Sequence, residues 1–383
     1  MASISRFIGA KCLMLLLILS VVFFNWHGYW YVFAVLPIVY ALFFNEIYRY
    51  CDKVTILLFL FGVWYSVFAT KLSFNEYITF MFVYPMLYLV GKYIGLSEKS
   101  DSIVNIIFVV AISMAAMYLL SISADIVKNG FYSDTRNLEI EGRGSNEEIS
   151  ATGIYSHLML LTTFIAALFM RMPWKRRLLY SIFAILAFVA SIRIQSRTGV
   201  VIMIIVIILS LLVNFRNMAR SNIVMVIILL GSLLFAAGYA LTTYEEELGI
   251  LERFQEDDVE SGGYRTELAM NVVNKLTESP WGGLEHMRYA HNMWLDCARV
   301  SGIVPLAFLL LITVLYIRSL WRMYKLRTDD SSSRYILVIL GMVLFIYMNV
   351  EPILEGAPVL FAFFVVLFGI MQGANKYRIK NTQ

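Results

Sequence analysis

The chain has 383 residues, 60% of them hydrophobic and only 15% charged, with a net charge of +4 and a mean hydropathy of +0.73. Soluble globular chains carry about 25% charged residues, so this one has too little polar surface to coat a water-exposed particle, and most of its exterior must face lipid. No basic block with interleaved aromatics is present, which argues against a nucleic-acid partner. The three cysteines (Cys12, Cys51 and Cys297) form no C-x-x-C pair and suggest neither a disulfide framework nor a thiolate metal site.

Apolar runs of bilayer-spanning length, about 17–25 residues each, recur near 10–26, 28–44, 54–70, 77–96, 102–124, 151–170, 178–195, 198–214, 222–243, 291–317, 335–350 and 357–373. They predict an all-α polytopic membrane protein with about twelve transmembrane helices. The first run starts basic, but Phe23-Phe24-Asn25-Trp26-His27 follows it where a signal peptide would have small residues. It reads as an uncleaved first span.

Orientation follows from the loops. With the N-terminus inside, the cytoplasmic segments hold most of the Lys and Arg, including the cluster Arg171, Lys175, Arg176, Arg177 and the cluster Arg318, Arg322, Lys325, Arg327. Both termini are therefore expected in the cytoplasm. Residues 1–243 then carry spans one to nine, with an outer loop near 125–150. Residues 244–290 form a large outer loop, and 291–383 hold the last three spans and a cytoplasmic tail. The large loop opens on the acidic run Glu245-Glu246-Glu247 and turns at Ser261-Gly262-Gly263. Leu268, Val272 and Leu276, four apart, predict a short amphipathic helix over 264–276. Pro280-Trp281-Gly282-Gly283 ends that stretch. No internal repeat suggests a two-fold transporter.

The outward-facing cations depart from the positive-inside pattern. Arg193 and Arg197 flank the junction of two spans, Arg265 follows the Gly-Gly turn, and Arg288 precedes the tenth span. A guanidinium is always protonated and donates two parallel hydrogen bonds, which suits a phosphate at the membrane–water boundary. The alternative is that these arginines snorkel to lipid headgroups or pair with the acidic loop. His291, at the outer mouth of the same span, has an imidazole able to take a proton from a sugar hydroxyl. As a lone interfacial histidine it also fits a simple hydrogen-bonding role. His286 lies five residues earlier, but no third ligand completes a metal site. His157, one turn into the sixth span, is a candidate for lining the same cavity or supporting it.

Three of these segments resemble the O-antigen polymerase and O-antigen ligase superfamily. His291-Asn292-x-x-Leu295 followed by Gly302-Ile303 is similar to the signature opening a late helix of that family. The stretch from Tyr264-Arg265-Thr266-Glu267 to Pro280-Trp281-Gly282-Gly283 resembles its large periplasmic loop, and Ser196-Arg197-Thr198-Gly199 its Ser-Arg-Thr/Gly element. The likeness covers about 190–305, and only hydropathy and span count extend it. The segment between Gly283 and His291 is shorter than in many members.

The resemblance implies a GT-C-type glycosyltransferase of the bacterial inner membrane with its active site facing the periplasm. It would use a glycan on undecaprenyl diphosphate as donor, invert the anomeric carbon and need neither metal nor other cofactor. Arg197 and Arg265 would bind the diphosphate, with Arg193 and Arg288 added by position. His291 would act as general base or orient the acceptor, with Asn292, His157 and Tyr264 as acceptor contacts or structural support. The turn Glu351–Pro358 favours a repeat-unit polymerase, with a second lipid-linked oligosaccharide as acceptor and a chain-length regulator as a further partner. The alternatives are a ligase acting on lipid A core and, from another class, a flippase for the same lipid-linked glycan.

Overall fold

The computed structural model describes residues 48–131, 137–139, 148–214, 261–325 and 331–382, with the single positions 19, 23, 24 and 231. Expected spans 10–26, 28–44 and 222–243 lie outside the described residues apart from those single positions, as does the acidic stretch 244–260. The described residues are almost wholly helical. The helices are α1 (Lys53–Phe68), α2 (Phe74–Ser97), α3 (Ser100–Asn129), α4 (Ala151–Phe169), α5 (Trp174–Arg193) and α6 (Arg197–Asn214). Then follow α7 (Ser261–Glu278), α8 (Met293–Ser301), α9 (Ile303–Lys325), α10 (Ser331–Met348), α11 (Ile353–Gly356) and α12 (Pro358–Thr382). A two-residue antiparallel pairing, β1 (Leu138–Glu139) with β2 (Glu148–Ile149), closes the loop before α4.

Among the described residues, α2, α3, α4, α9 and the Pro358–Asn375 part of α12 are long and apolar enough to cross a membrane; α1, Arg197–Val213 and Ser332–Met348 are shorter apolar helices. Helix α9 leaves Leu310, Leu311, Val314 and Ile317 exposed, and α5 leaves Leu178, Ile182, Ile185 and Val189 exposed. These are three- and four-residue spacings, so each helix presents one continuous apolar stripe. In water such stripes invite association; against hydrocarbon they are the ordinary surface.

One expected span is corrected. The run 291–317 is two elements, α8 and α9, because Gly302 stands between them at φ +81. The bilayer-length helix starts at Ile303, and His291 through Ser301 precede it.

The chain forms two compact units. In the first (1–106, 263–329 and 344–383), α2 and α12 pack through glycines on both sides. Gly91 and Gly95 stand four apart on α2, and Gly369 and Gly373 four apart on α12. A Cβ on Gly91 would lie 2.1 Å from the Val366 carbonyl oxygen, and one on Gly369 2.1 Å from that of Tyr88. Small residues at this spacing let two backbones touch, the main route to helix association where no hydrophobic force separates helix from lipid. Beside this seam Lys92 is buried and ion-paired with Asp52, whose carboxylate also caps α1.

In the second unit (107–262 and 330–343), Phe108, Phe164, Tyr180 and Phe183 of α3, α4 and α5 cluster with ring centroids 4.4–5.7 Å apart. Helix α3 runs to Asn129, past the expected end at 124, which puts Asp125 on its last turns.

Because the Gly369 contact is backbone on backbone, Gly369→Ala should cost about 1–3 kcal/mol of stability. Thermal melts of the detergent-solubilised protein, beside Val314→Ala on the exposed face of α9, test this. Equal melting of the two variants contradicts the seam.

Candidate functional site

The loop between α7 and α9 is fastened by two glycines that face each other. Gly282 has φ +84 and Gly302 φ +81, a region costly for residues with a side chain. A Cβ on Gly282 would meet Gly302 N at 2.6 Å, and one on Gly302 the Pro280 oxygen at 2.5 Å. Their closeness lets Ile303 N donate to Pro280 O (2.9 Å), Gly283 N to Val300 O (3.0 Å) and Leu284 N to Arg299 O (3.0 Å). The Pro-x-x-Gly exit and the Gly302-Ile303 step are thus two halves of one joint. Trp281 stacks on Phe68 at the end of α1, and Thr70 donates to both oxygens of Glu285. Burial alone would raise the Glu285 carboxyl, but those donors bring it below its ordinary range.

Arg299 is the hub beneath that loop. It is 1% exposed, and its guanidinium donates to Asp296, to Glu355 and to the carbonyls of Leu284 and Met287. Asp296, equally buried, reaches back over the start of α8. One oxygen accepts from Ala290 N (2.8 Å) and the other from Asn292 N (3.1 Å). The carboxylate therefore holds the N–H groups of both residues next to His291. That grip accounts for His291 sitting at φ +52, an unfavourable conformation for a residue with a Cβ. Asn292 finishes the start by capping α8, its Oδ1 accepting from Trp294 N and Leu295 N. Burial pushes the Asp296 carboxyl up, and pushes that of Glu355 up to about 7, against the opposing pull of Arg299 in both cases.

His291 is thereby aimed at the turn between α10 and α11. Its Nδ1 lies 3.8 Å from Glu351, which is 2% exposed. Asn292 Nδ2 donates to Asn349 O (3.4 Å), and Arg265 on the first turns of α7 donates to Val350 O (3.3 Å). His291, Asn292 and Arg265 thus meet at residues 349–351. Arg265 is exposed and Arg288 is exposed on the loop before His291; Tyr264 lies in the first turn of α7. His286 is exposed, and among the described residues no group of three His, Cys, Asp or Glu suits a metal ion.

The other expected site residues belong to the second unit. Arg197 opens α6, half-buried, directly after a reversal in which Gln195 has φ +54 and Ser196 caps the helix by accepting from Gly199 N. Gly199 is there for space: a Cβ would press on Ser191 and the Tyr155 ring. Arg193, expected at a diphosphate, is buried; it is ion-paired with Asp125 and donates to Gly130 O. Its charge is matched inside the protein, which gives it a structural task. His157 is buried, stacks on Tyr118 and bonds its hydroxyl (3.0 Å), an arrangement suited to support.

Sequence reasoning missed Glu351, Asp296, Arg299 and Glu355. The available signal was two carboxylates flanking Pro352-Ile353-Leu354 in an otherwise apolar region, and an aspartate five residues after His291. Comparison with known proteins adds no family: no protein-family model, curated protein or solved structure matches the chain.

The folded chain holds the Glu355 proton up to about pH 7, whereas the unfolded chain releases it near 4.5. This group's contribution to stability is therefore full below pH 4.5 and lost as the pH rises through about 7. Glu355→Gln should remove that slope from a plot of melting temperature against pH; parallel profiles for wild type and variant contradict the assignment.

Proposed function

We propose that the protein is a membrane glycosyltransferase that polymerises repeat units of an O-antigen or related surface polysaccharide. It transfers a glycan from undecaprenyl diphosphate to a second lipid-linked repeat unit. In this reading about twelve spans cross the bacterial inner membrane, both termini are cytoplasmic, and the turn at 349–351 faces the periplasm.

The observation that carries the reading is the meeting of His291, Asn292 and Arg265 at that turn. A half-exposed imidazole and a permanent cation there supply the two things the transfer requires. One takes the proton of the attacking hydroxyl; the other meets the charge that grows on the departing diphosphate. Asn292 caps α8 directly after the imidazole, and Arg288 adds positive potential on the same loop. Diphosphate leaves readily once its charge is matched, so arginines suffice for the role a metal often fills.

Deletion of the gene should leave lipid A core bearing a single repeat, and a His291→Ala copy should not restore the ladder on a lipopolysaccharide gel. With purified protein and lipid-linked donor, Arg265→Ala should lower turnover about 10²–10³-fold. Bare core with accumulating lipid-linked polymer would identify a ligase instead. Normal polymer from the His291→Ala copy would point to a transport role, and an unchanged ladder on deletion would refute the pathway.

A further inference from the structure

Glu351 is an anomaly within the first unit. It is 2% exposed, and neither carboxylate oxygen has a hydrogen-bond partner among the described residues. Across from it, His291 Nδ1 is also buried and without a hydrogen-bond partner, 3.8 Å from Glu351 Oε2. Leaving a carboxylate out of water without donors is expensive, and proteins keep such a group where a partner comes to it.

The backbone around Glu351 is held by other hands. Its own carbonyl accepts from Ile353 N (3.0 Å) and Pro352 follows directly. The neighbouring carbonyls of Val350 and Asn349 take Arg265 and Asn292. The backbone that carries the imidazole is held too, by Asp296 accepting from the N–H groups of both residues next to His291. Two rigid supports therefore aim one ring nitrogen at one carboxylate, while the histidine side chain stays 32% exposed. Catalytic hydrogen bonds are often long before substrate arrives and shorten in the complex.

We infer that Glu351 is the positioning residue of His291: it holds the imidazole in its Nδ1–H tautomer and neutralises the imidazolium formed during transfer. This rests on the glycosyltransferase reading. In the step, the acceptor oxygen forms its bond to the anomeric carbon and its proton passes to His291 Nε2. The bond from that carbon to the phosphate oxygen breaks, with its electron pair leaving on the diphosphate. The second ring nitrogen, facing Glu351, keeps its proton throughout. A carboxylate behind an imidazole sets which nitrogen is free to act, and replacing one with an amide has cost about 10⁴ in kcat elsewhere through the wrong tautomer.

The test uses the full chain, labelled with ¹⁵N-histidine, in lipid nanodiscs, with the His291 signal assigned by its loss in His291→Ala. The expected result is an Nδ1–H tautomer in wild type and in Glu351→Asp, shifting toward the Nε2–H form in Glu351→Ala. In the transfer assay Glu351→Gln, which keeps the shape, should lower kcat about 10²–10⁴-fold with little change in KM. Glu351→Gln combined with His291→Ala should be no worse than His291→Ala alone, as for residues acting as a unit. An Nε2–H tautomer in wild type, or an unchanged tautomer in Glu351→Ala, overturns the inference; should that variant not fold, a Glu351→Gln effect confined to KM does so. If wild type transfers no glycan, the enzyme reading fails, and the tautomer still decides whether Glu351 governs His291.

Discussion

A buried guanidinium is costly unless every side of it is matched, and Arg299 donates to the side chains of Asp296 and Glu355 and to two carbonyls. That requirement ties together parts of the chain that are far apart in sequence. It brings α11, through Glu355, against α8; it holds the loop carbonyls of Leu284 and Met287; and it orients Asp296. Asp296 in turn sets the backbone on either side of His291. The candidate chemistry is therefore two steps removed from the ion cluster that shapes it. Removing Arg299 or one of its carboxylates would disturb a residue that neither touches by hydrogen bond.

The glycines do a complementary job. At Gly282 and Gly302 two backbones pass so closely that no Cβ fits, and the resulting joint sets where the loop after α7 ends and α9 begins. Along α2 and α12 the same close approach builds the apolar part of the first unit. In lipid, association rests on contact and hydrogen bonding rather than on escape from water, so the backbone-to-backbone seams and the buried polar cluster carry the specificity of that unit.

Much of the fold was legible because the hydrophobic signal of a membrane helix is long and needs no partner to be recognised. Every expected span from 54–70 onward that falls among the described residues contains a helix, and the amphipathic stretch at 264–276 lies within α7. The 291–317 run failed because hydropathy does not register a single positive-φ glycine between two apolar segments. Among the candidate residues, His291, Asn292 and Arg265 stood out as rare polar groups in a patterned loop, and the structure brings them together at 349–351. The ion pair of Arg193 with Asp125 could not be read in the same way, since a cation at a helix end looks the same in sequence whatever its partner. Glu351 and the Arg299 cluster were hidden for a related reason. Glu351 and Glu355 meet His291 and Arg299 from far along the chain, and one sequence holds no record of which charges meet.

In the proposed function, the turn at 349–351, with Arg265 and His291, receives a lipid-linked diphosphate. The most direct measurement is photo-crosslinking in native membranes with a photoactivatable undecaprenyl diphosphate probe, followed by peptide mapping. The expected result is labelling within 261–292 or 345–356, competed by unlabelled lipid diphosphate and lost in Arg265→Ala. Labelling confined to other helices, or indifferent to competitor and to Arg265, would contradict it.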